Sequence, residues 1–279
     1  MSDGLVVAEN LAIVFGARRD WRGRDSKGVH ALRGVSLRVD RGETVGIVGE
    51  SGSGKTTLGR ALLRLVDVTS GRVLFDGRDI TRLPERDMRP LRRRMQLIFQ
   101  DPMVSLNPRH AIRRILVEPM LLHGVAKDEA DADRRARDIF ERFSLPPACL
   151  GRFPHELSGG QRQRIGIARA ALLKPDFVLA DEIVSGLDVS TQAQTLNLLK
   201  TLTRDLGLAM AFISHDLSVI RAVCDQVYVL RDGRVVEEGR CEDVFAAAKS
   251  RYTQLLIDAI PLPQVDPGWL DRDVALEIA

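Results

Sequence analysis

Two short stretches of this 279-residue chain combine residue types that handle anionic oxygens. The first, GESGSGKT, places Gly49, Glu50, Ser51, Gly52, Ser53, Gly54, Lys55 and Thr56 in one run. Glycines at this spacing let backbone amides wrap closely around phosphate oxygens. Lys55 would reach the β- and γ-phosphates of a nucleotide, and the Thr56 hydroxyl would ligate Mg2+. The second stretch, HELSGGQRQRIGIARA, sets Ser158 three residues before Gln161, with two glycines between them. This is capping-box spacing at the start of an amphipathic helix. A helix that opens on Ser-Gly-Gly presents bare N–H groups and the positive end of its dipole, which suits an anion. The chain thus has two anion-binding helix starts, and only one of them has a lysine.

A third stretch, FVLADE, ends four apolar residues on Asp181 and Glu182. Taken alone, an acidic pair there is more often a solvated turn. Beside a phosphate loop it has the form of a rigid strand-end carboxylate for Mg2+, followed by a carboxylate that orients and activates water.

The elements that must position these residues alternate in type. Extended segments are expected at 5–15, 34–40, 43–49, 95–100, 177–182 and 207–215, and hairpins with Asp-Gly turns at 71–80 and 225–239. A helix follows the glycine loop over 55–66, and another spans 190–205. From about 103 to 174 strand runs vanish and helices are expected at 109–123, 128–143 and 159–173, with one further helical piece after 250. Strands alternating with helices imply a mainly parallel sheet with ligands at the carboxyl ends of its strands.

Composition narrows the class. An apolar fraction of 44%, a charged fraction of 28% and a net charge of +3 are ordinary for a globular protein and imply no strong nucleic-acid or membrane field. The arginine runs RPLRRRM (89–95) and DRRAR (133–137) are a nucleic-acid contact on one reading and solvated helix faces on the other. Cys149, Cys224 and Cys241 are dispersed, so no disulfide, zinc or iron–sulfur framework is indicated, and a reducing compartment is expected. The N-terminus lacks signal-peptide architecture, and no apolar run is long enough to span a bilayer.

The phosphate loop, LSGGQ (157–161), LADE (179–182), SGLD (185–188) and ISHD (213–216), in that order, resemble the ATP-binding subunit of ABC transporters from about residue 5 to 260. The resemblance implies an α/β fold: a P-loop NTPase (RecA-like) core with an antiparallel β subdomain and an inserted helical subdomain. The ATPase domain would span 1–250, with the helical subdomain at about 103–174 and a C-terminal extension at 251–279. It also implies head-to-tail pairing, in which each ATP lies between the lysine loop of one subunit and the LSGGQ helix of the other. Leu157, Ser158, Gly159, Gly160 and Gln161 would then serve a partner's nucleotide, which explains a helix without a lysine.

On the same resemblance, ATP contacts extend to Thr57 and to Phe15, stacked on adenine, although a core role for Phe15 is the competing reading. Trp21 is a lesser candidate for the stacking position. Gln100 would ligate Mg2+ with Thr56 and Asp181 and link the site to the helical subdomain. Glu182, His215 and Lys55 would be catalytic, with His215 reaching the γ-phosphate, and Asp188 would communicate across the dimer. The family usually has proline after the glutamate, where this chain has Ile183.

FQDPMVSLNPR (99–109), VSGLDVSTQAQTLNLL (184–199) and RYTQLLIDAIP (251–261) resemble the second ATPase of bacterial importers for oligopeptides, dipeptides, nickel or opines. The insertion between Phe15 and Gly34 is usual in that group, whereas the cysteine-rich C-terminal cluster of many relatives is missing. The implied partners are two transmembrane permease subunits, a second ATP-binding subunit and, indirectly, an extracytoplasmic solute-binding protein, with no nucleic acid. The implied place is the cytoplasmic face of the inner membrane, held peripherally. A soluble ABC ATPase acting on nucleic acid or ribosomes is the alternative. A single glycine loop with no heptad array and no zinc spacing tells against it.

Overall fold

The computed structural model describes residues 4–16 and 28–260, so Trp21 and the segment beyond 260 lie outside the described residues. In chain order, β1 (Val6–Phe15) and β2 (Val29–Val39) are followed by β3 (Thr44–Val48), the glycine loop and α1 (Lys55–Leu62). The hairpin β4 (Ser70–Phe75) and β5 (Arg78–Asp79) leads to α2 (Glu85–Arg92) and β6 (Met95–Ile98). Four helices come next: α3 (Pro102–Ser105), α4 (Ile112–Leu122), α5 (Glu129–Arg142) and α6 (Gly159–Leu172). The chain then runs through β7 (Phe177–Asp181), α7 (Val189–Leu206), β8 (Ala209–Ile213) and α8 (Leu217–Val223). It ends with the hairpin β9 (Gln226–Arg231) and β10 (Arg234–Arg240), α9 (Cys241–Ala246) and α10 (Arg251–Asp258).

Side-chain alternation along the buried strands decides the layering. In the six-stranded sheet, ordered β10-β9-β3-β8-β7-β6, every neighbouring pair but the β10–β9 hairpin is parallel. Val45, Ile47, Phe177, Leu179, Ala211 and Ile213 point to one face, where they pack with Leu58 and Leu62 of α1 and with Val6, Leu37 and Phe75 of the other sheet. That sheet is antiparallel and ordered β2-β1-β4-β5. Val178, Ala180, Met210 and Phe212 point to the opposite face, against Leu199 of α7, Ile220 of α8 and the helices between β6 and β7. Burial on both faces explains why β8 reads as an unbroken apolar run and β3 as a short, β-branched one.

Among the described residues, no strand occurs between β6 and β7. Asp128 and Ser158 cap α5 and α6 by accepting from Asp131 N and Gln161 N, respectively. Arg113 of α4 ties to α5 through Asp133 at 2.6 Å and Glu129 at 3.0 Å.

Arg89, Arg134 and Arg137 lie on exposed helix faces, as one of the two readings has it, and other members of the arginine runs have a structural use that neither reading anticipated. Arg94 pairs with Asp76 at 2.6 Å and Asp176 at 2.5 Å and lies over the Phe75 ring, joining the two sheets. Arg92 reaches Glu85 and the Leu63 carbonyl. Arg134 and Arg135 neutralise Asp131, whose side chain is only 8% exposed. β2 begins at Val29, earlier than the strand expected from 34, and α1 stops at Leu62 rather than 66. No helix among the described residues is long and apolar enough to cross a membrane.

Phe212 is fully buried at the centre of the sheet. Replacing it with alanine is expected to cost about 3–5 kcal/mol. The measurement is the urea midpoint, which should fall with the slope unchanged.

Candidate functional site

Four parallel strands end on the same side of the sheet, and each delivers one part of the site at its carboxyl end. β3 leads into residues 49–54 and Lys55, and β6 is followed by Gln100. β7 ends on Asp181 with Glu182 next, and β8 is followed by Ser214 and His215. The ladders align these ends, with Ile98 opposite Ala180, Asp181 opposite Ile213 and Ile47 opposite Ile213.

The loop after β3 closes tightly against the rest of the chain. At Gly49, with φ +143°, a Cβ would lie 2.1 Å from the Leu230 carbonyl oxygen, and at Gly54, with φ +103°, 2.6 Å from that of Ala31. Only glycine fits either position. The Lys55 ammonium donates to the carbonyls of Gly49 and Glu50, both at 2.7 Å, and the residue is 6% exposed. Burial pushes its pKa below the ordinary value, while Glu182, Asp181 and Glu50 act in the opposite sense. Among the described residues, no carboxylate pairs directly with this ammonium. The Ser53 hydroxyl is buried beside it and has no hydrogen-bond partner. A desolvated cation, an orphaned hydroxyl and a glycine loop make a donor set that fits an anionic phosphate chain.

The acids face this loop. Thr56 Oγ1 donates to Asp181 Oδ1 at 3.4 Å, and burial raises the Asp181 pKa from its ordinary value. Glu182 sits in the left-handed region at φ +48° and donates its N–H to the Ile213 carbonyl at 3.0 Å. A non-glycine residue held there is uncommon and marks a fixed, strained position. Gln100 Nε2 donates to Glu182 Oε2 at 3.1 Å, and His215 Nδ1 stands 3.7 Å from the same oxygen. A cavity of about 110 Å³ lies beside Glu182 and His215. It has room for a few waters and none for a nucleotide. The Thr56 hydroxyl, the Asp181 carboxylate and the Gln100 amide oxygen are hard donors of the kind Mg2+ takes.

Ile183, at the position where proline was expected, is 1% exposed and packs in the helical-side core. Its buried side chain anchors the loop that a proline ring would otherwise stiffen. Phe15 closes β1 with 45% of its surface exposed, which does not fit a simple core role. Asp188 caps α7, accepting from Thr191 N at 2.9 Å and Thr191 Oγ1 at 2.7 Å, and these bonds hold its carboxyl below the ordinary range.

At 157–161 the expected capping box is present: Ser158 Oγ accepts from Gln161 N at 3.3 Å and Gln161 Oε1 from Ser158 N at 3.0 Å. Leu157 is buried behind it, and Gly159 has open space at its Cβ position. Among the described residues, no hydrogen bond or ion pair links 157–161 to the glycine loop or to Glu182. The structure thus brings together 49–56, Gln100, Asp181, Glu182 and His215, and leaves the Ser158 helix start as a separate feature. One contact had no sequence signal: Tyr252 of α10 accepts a hydrogen bond from Glu50 N at 3.0 Å.

Known proteins resemble this chain over most of its length. Residues 32–185 match the ABC transporter family. A putative peptide import ATP-binding protein of Brucella ovis is 54% identical over 84% of this chain and 74% of its own length. The oligopeptide transport ATP-binding protein AmiF of Streptococcus pneumoniae is 44% identical over 100% of this chain and 87% of its own. Among solved structures, the dimeric ATP-binding cassette MJ0796 in a post-hydrolysis state with ADP and phosphate aligns with a TM-score of 0.75. It is 28% identical and covers 85% of this chain and 98% of its own. CbiO1 of Clostridium perfringens, part of the ABC transporter complex cbiONQ, aligns with a TM-score of 0.76 at 26% identity, over 91% and 99% of the two chains.

A raised acid pKa means that ionising Asp181 works against the folded state, so its contribution is most favourable at low pH and is lost as pH rises through the raised value. Asp181→Asn is therefore expected to raise the melting temperature of the nucleotide-free chain at pH 7.5, and by less at pH 4. Equal shifts at both pH values would contradict the burial account.

Proposed function

The chain belongs to the ABC transporter family of ATP-binding proteins, and from that premise we propose that it binds and hydrolyses ATP to energise an importer of peptides or related small solutes. The names of its relatives favour this over a soluble ATPase acting on nucleic acid or ribosomes. One observation carries the reading of the site: Gln100 and His215 turn to a single carboxylate, Glu182, next to the Asp181 that meets Thr56.

On this reading the loop amides of 49–54, the Lys55 ammonium and Thr57 hold the phosphates, and Phe15 offers its exposed ring to adenine. Lys55 is desolvated before the nucleotide arrives, so its charge acts at short range with little water to reorganise. Thr56, Asp181 and Gln100 would hold Mg2+, which supplies further charge neutralisation at the phosphate oxygens. The Glu182 carboxylate positions the attacking water and takes up its proton. Gln100 and His215 fix which oxygen of that carboxylate is presented, and the left-handed backbone at 182 keeps it from swinging away.

The second helix start completes the site of a second ATP-binding subunit, identical or homologous. Ser158 is already engaged with Gln161, but the N–H groups of Gly159 and Gly160 have no acceptor within the helix. They meet the partner's nucleotide, with Leu157 and Gln161 fixing the approach and Asp188 close by on α7. The remaining partners are two transmembrane permease subunits, fed by an extracytoplasmic solute-binding protein, which place the chain peripherally on the cytoplasmic face of the inner membrane. Two bound ATP molecules close the pair, hydrolysis releases it, and the Gln100 segment passes the change to the helical region.

Glu182→Gln should retain ATP binding while hydrolysis falls at least about 100-fold, the lower range for removing a positioned base. The mutant should run as an ATP-dependent dimer in size-exclusion chromatography. Brisk phosphate release by it would remove Glu182 from the role of base. Ser158→Arg should stop turnover yet leave ATP affinity of the monomer unchanged. Loss of monomer binding would instead mean that the helix serves its own chain's nucleotide.

A further inference from the structure

The peptide unit between Gly49 and Glu50 is held at both ends. Its carbonyl, on Gly49, accepts from the Lys55 ammonium at 2.7 Å, and its N–H, on Glu50, donates to Tyr252 Oη at 3.0 Å. In a planar trans peptide these groups point in opposite directions, so fixing one fixes the other. A rotation of this plane would withdraw the carbonyl from Lys55 and send the amide inward in its place. Tyr252 therefore acts on the lysine through a single rigid unit.

The hydroxyl is itself firmly placed. The Tyr252 side chain is 7% exposed, and the Arg231 guanidinium lies 5.0 Å from its ring centroid. The start of its helix is tied to β10, because Glu237 accepts from the N–H groups of Lys249 at 2.7 Å and Ser250 at 3.1 Å. Arg231 ends β9, and the turn after it also holds the loop, with Gly233 N donating to the Ser53 carbonyl at 3.0 Å. The back of the glycine loop thus rests on a small, internally bonded scaffold built from the β9–β10 turn and α10. Burial pushes the Tyr252 phenol pKa up, so the hydroxyl stays neutral and can accept the amide.

We propose that Tyr252 is a positioning residue for nucleotide binding: it sets the orientation of the 49–50 peptide and through it the seat of the Lys55 ammonium. This rests on the reading of residues 49–56 as the ATP phosphate site. It extends that site to the segment after residue 250, so that a ligand or partner subunit that moves α10 would change ATP affinity without touching ATP.

The test is Tyr252→Phe in the full chain, which keeps the ring beneath Arg231 and removes only the acceptor for Glu50 N–H. Affinity for MgATP, by titration calorimetry, is expected to fall roughly two- to tenfold, the span of one net hydrogen bond. KM should rise by the same factor with kcat changed less than about twofold, because the loop holds ground state and transition state alike. Unchanged affinity and KM, with or without a lower melting temperature, would make Tyr252 a packing residue only and overturn the inference. A fall in kcat at constant KM would overturn it equally. If the unmutated chain binds no MgATP, the ATP reading fails and takes this one with it; binding by both proteins with equal affinity removes the inference alone.

Discussion

Lys55 keeps a positive charge out of water, and among the described residues two carbonyl groups of its own loop receive it, each at 2.7 Å. Such a cation is costly to bury, and burial pushes its pKa down. Much of the surrounding structure follows from it. The two carbonyls can face the ammonium only if the loop turns back on itself, which demands positive φ at Gly49 and Gly54. The loop can pack so tightly only because Leu230 and Ala31 present backbone rather than side chain at those points. The nearest acids are offset rather than paired with it, leaving an anionic ligand as the group that completes its coordination.

The same logic places the acids. Asp181 ends a strand buried on both faces and Glu182 follows it, so neither backbone can shift to regain water. Burial makes Asp181 hold its proton more tightly, with the Glu182 charge adding to the effect, and Glu182, held by a left-handed backbone, is taken up by Gln100 and His215. Four strands, four short connections and one rigid sheet thus assemble a constellation that no single segment could hold. A functional site of this kind is stored strain: the raised Asp181 pKa, the Glu182 dihedral and the buried Lys55 each work against stability, and the double-faced core offsets them.

What could be read from the sequence follows from where the physics is local. Glycine loops, capping boxes and apolar strand runs are short-range patterns, so 49–56, the Ser158 cap and the strands β3, β7 and β8 were legible from residue types alone. Gln100 and His215 carry no such pattern; only resemblance to a family pointed to them, and the shared contact with Glu182 appears in three dimensions. The α2 helix was not placed among the expected elements, because Pro90 falls within it and arginines crowd it, although a solvated helix face was one reading of 89–95. The destinations of those arginines were equally hidden, since Arg94 meets Asp176 across 82 residues. Tyr252 is the extreme case, 202 residues from the amide it receives. Ile183 shows the converse: it lacks the local stiffness of a proline ring, and burial of its side chain, a tertiary effect, supplies a restraint instead.

The unequal chemistry of the two helix starts then has a physical reason. A phosphate chain carries more charge than one desolvated lysine can neutralise, and a second ammonium beside Lys55 would repel it and raise the burial cost again. Uncharged N–H groups at a helix end avoid that repulsion. They bring partial positive charge from the dipole and directed donors, and Gly159, with open space at its Cβ position, leaves the approach open. Ser158 and Gln161 satisfy each other, so the helix end is stable in an isolated chain and still has donors to offer. On the proposed pairing, each subunit thus exposes an end that is too weakly charged to hold a nucleotide alone and strong enough to close over one already bound. Association of the two chains is thereby made conditional on ATP, and removal of the terminal phosphate takes away the group that both sides share.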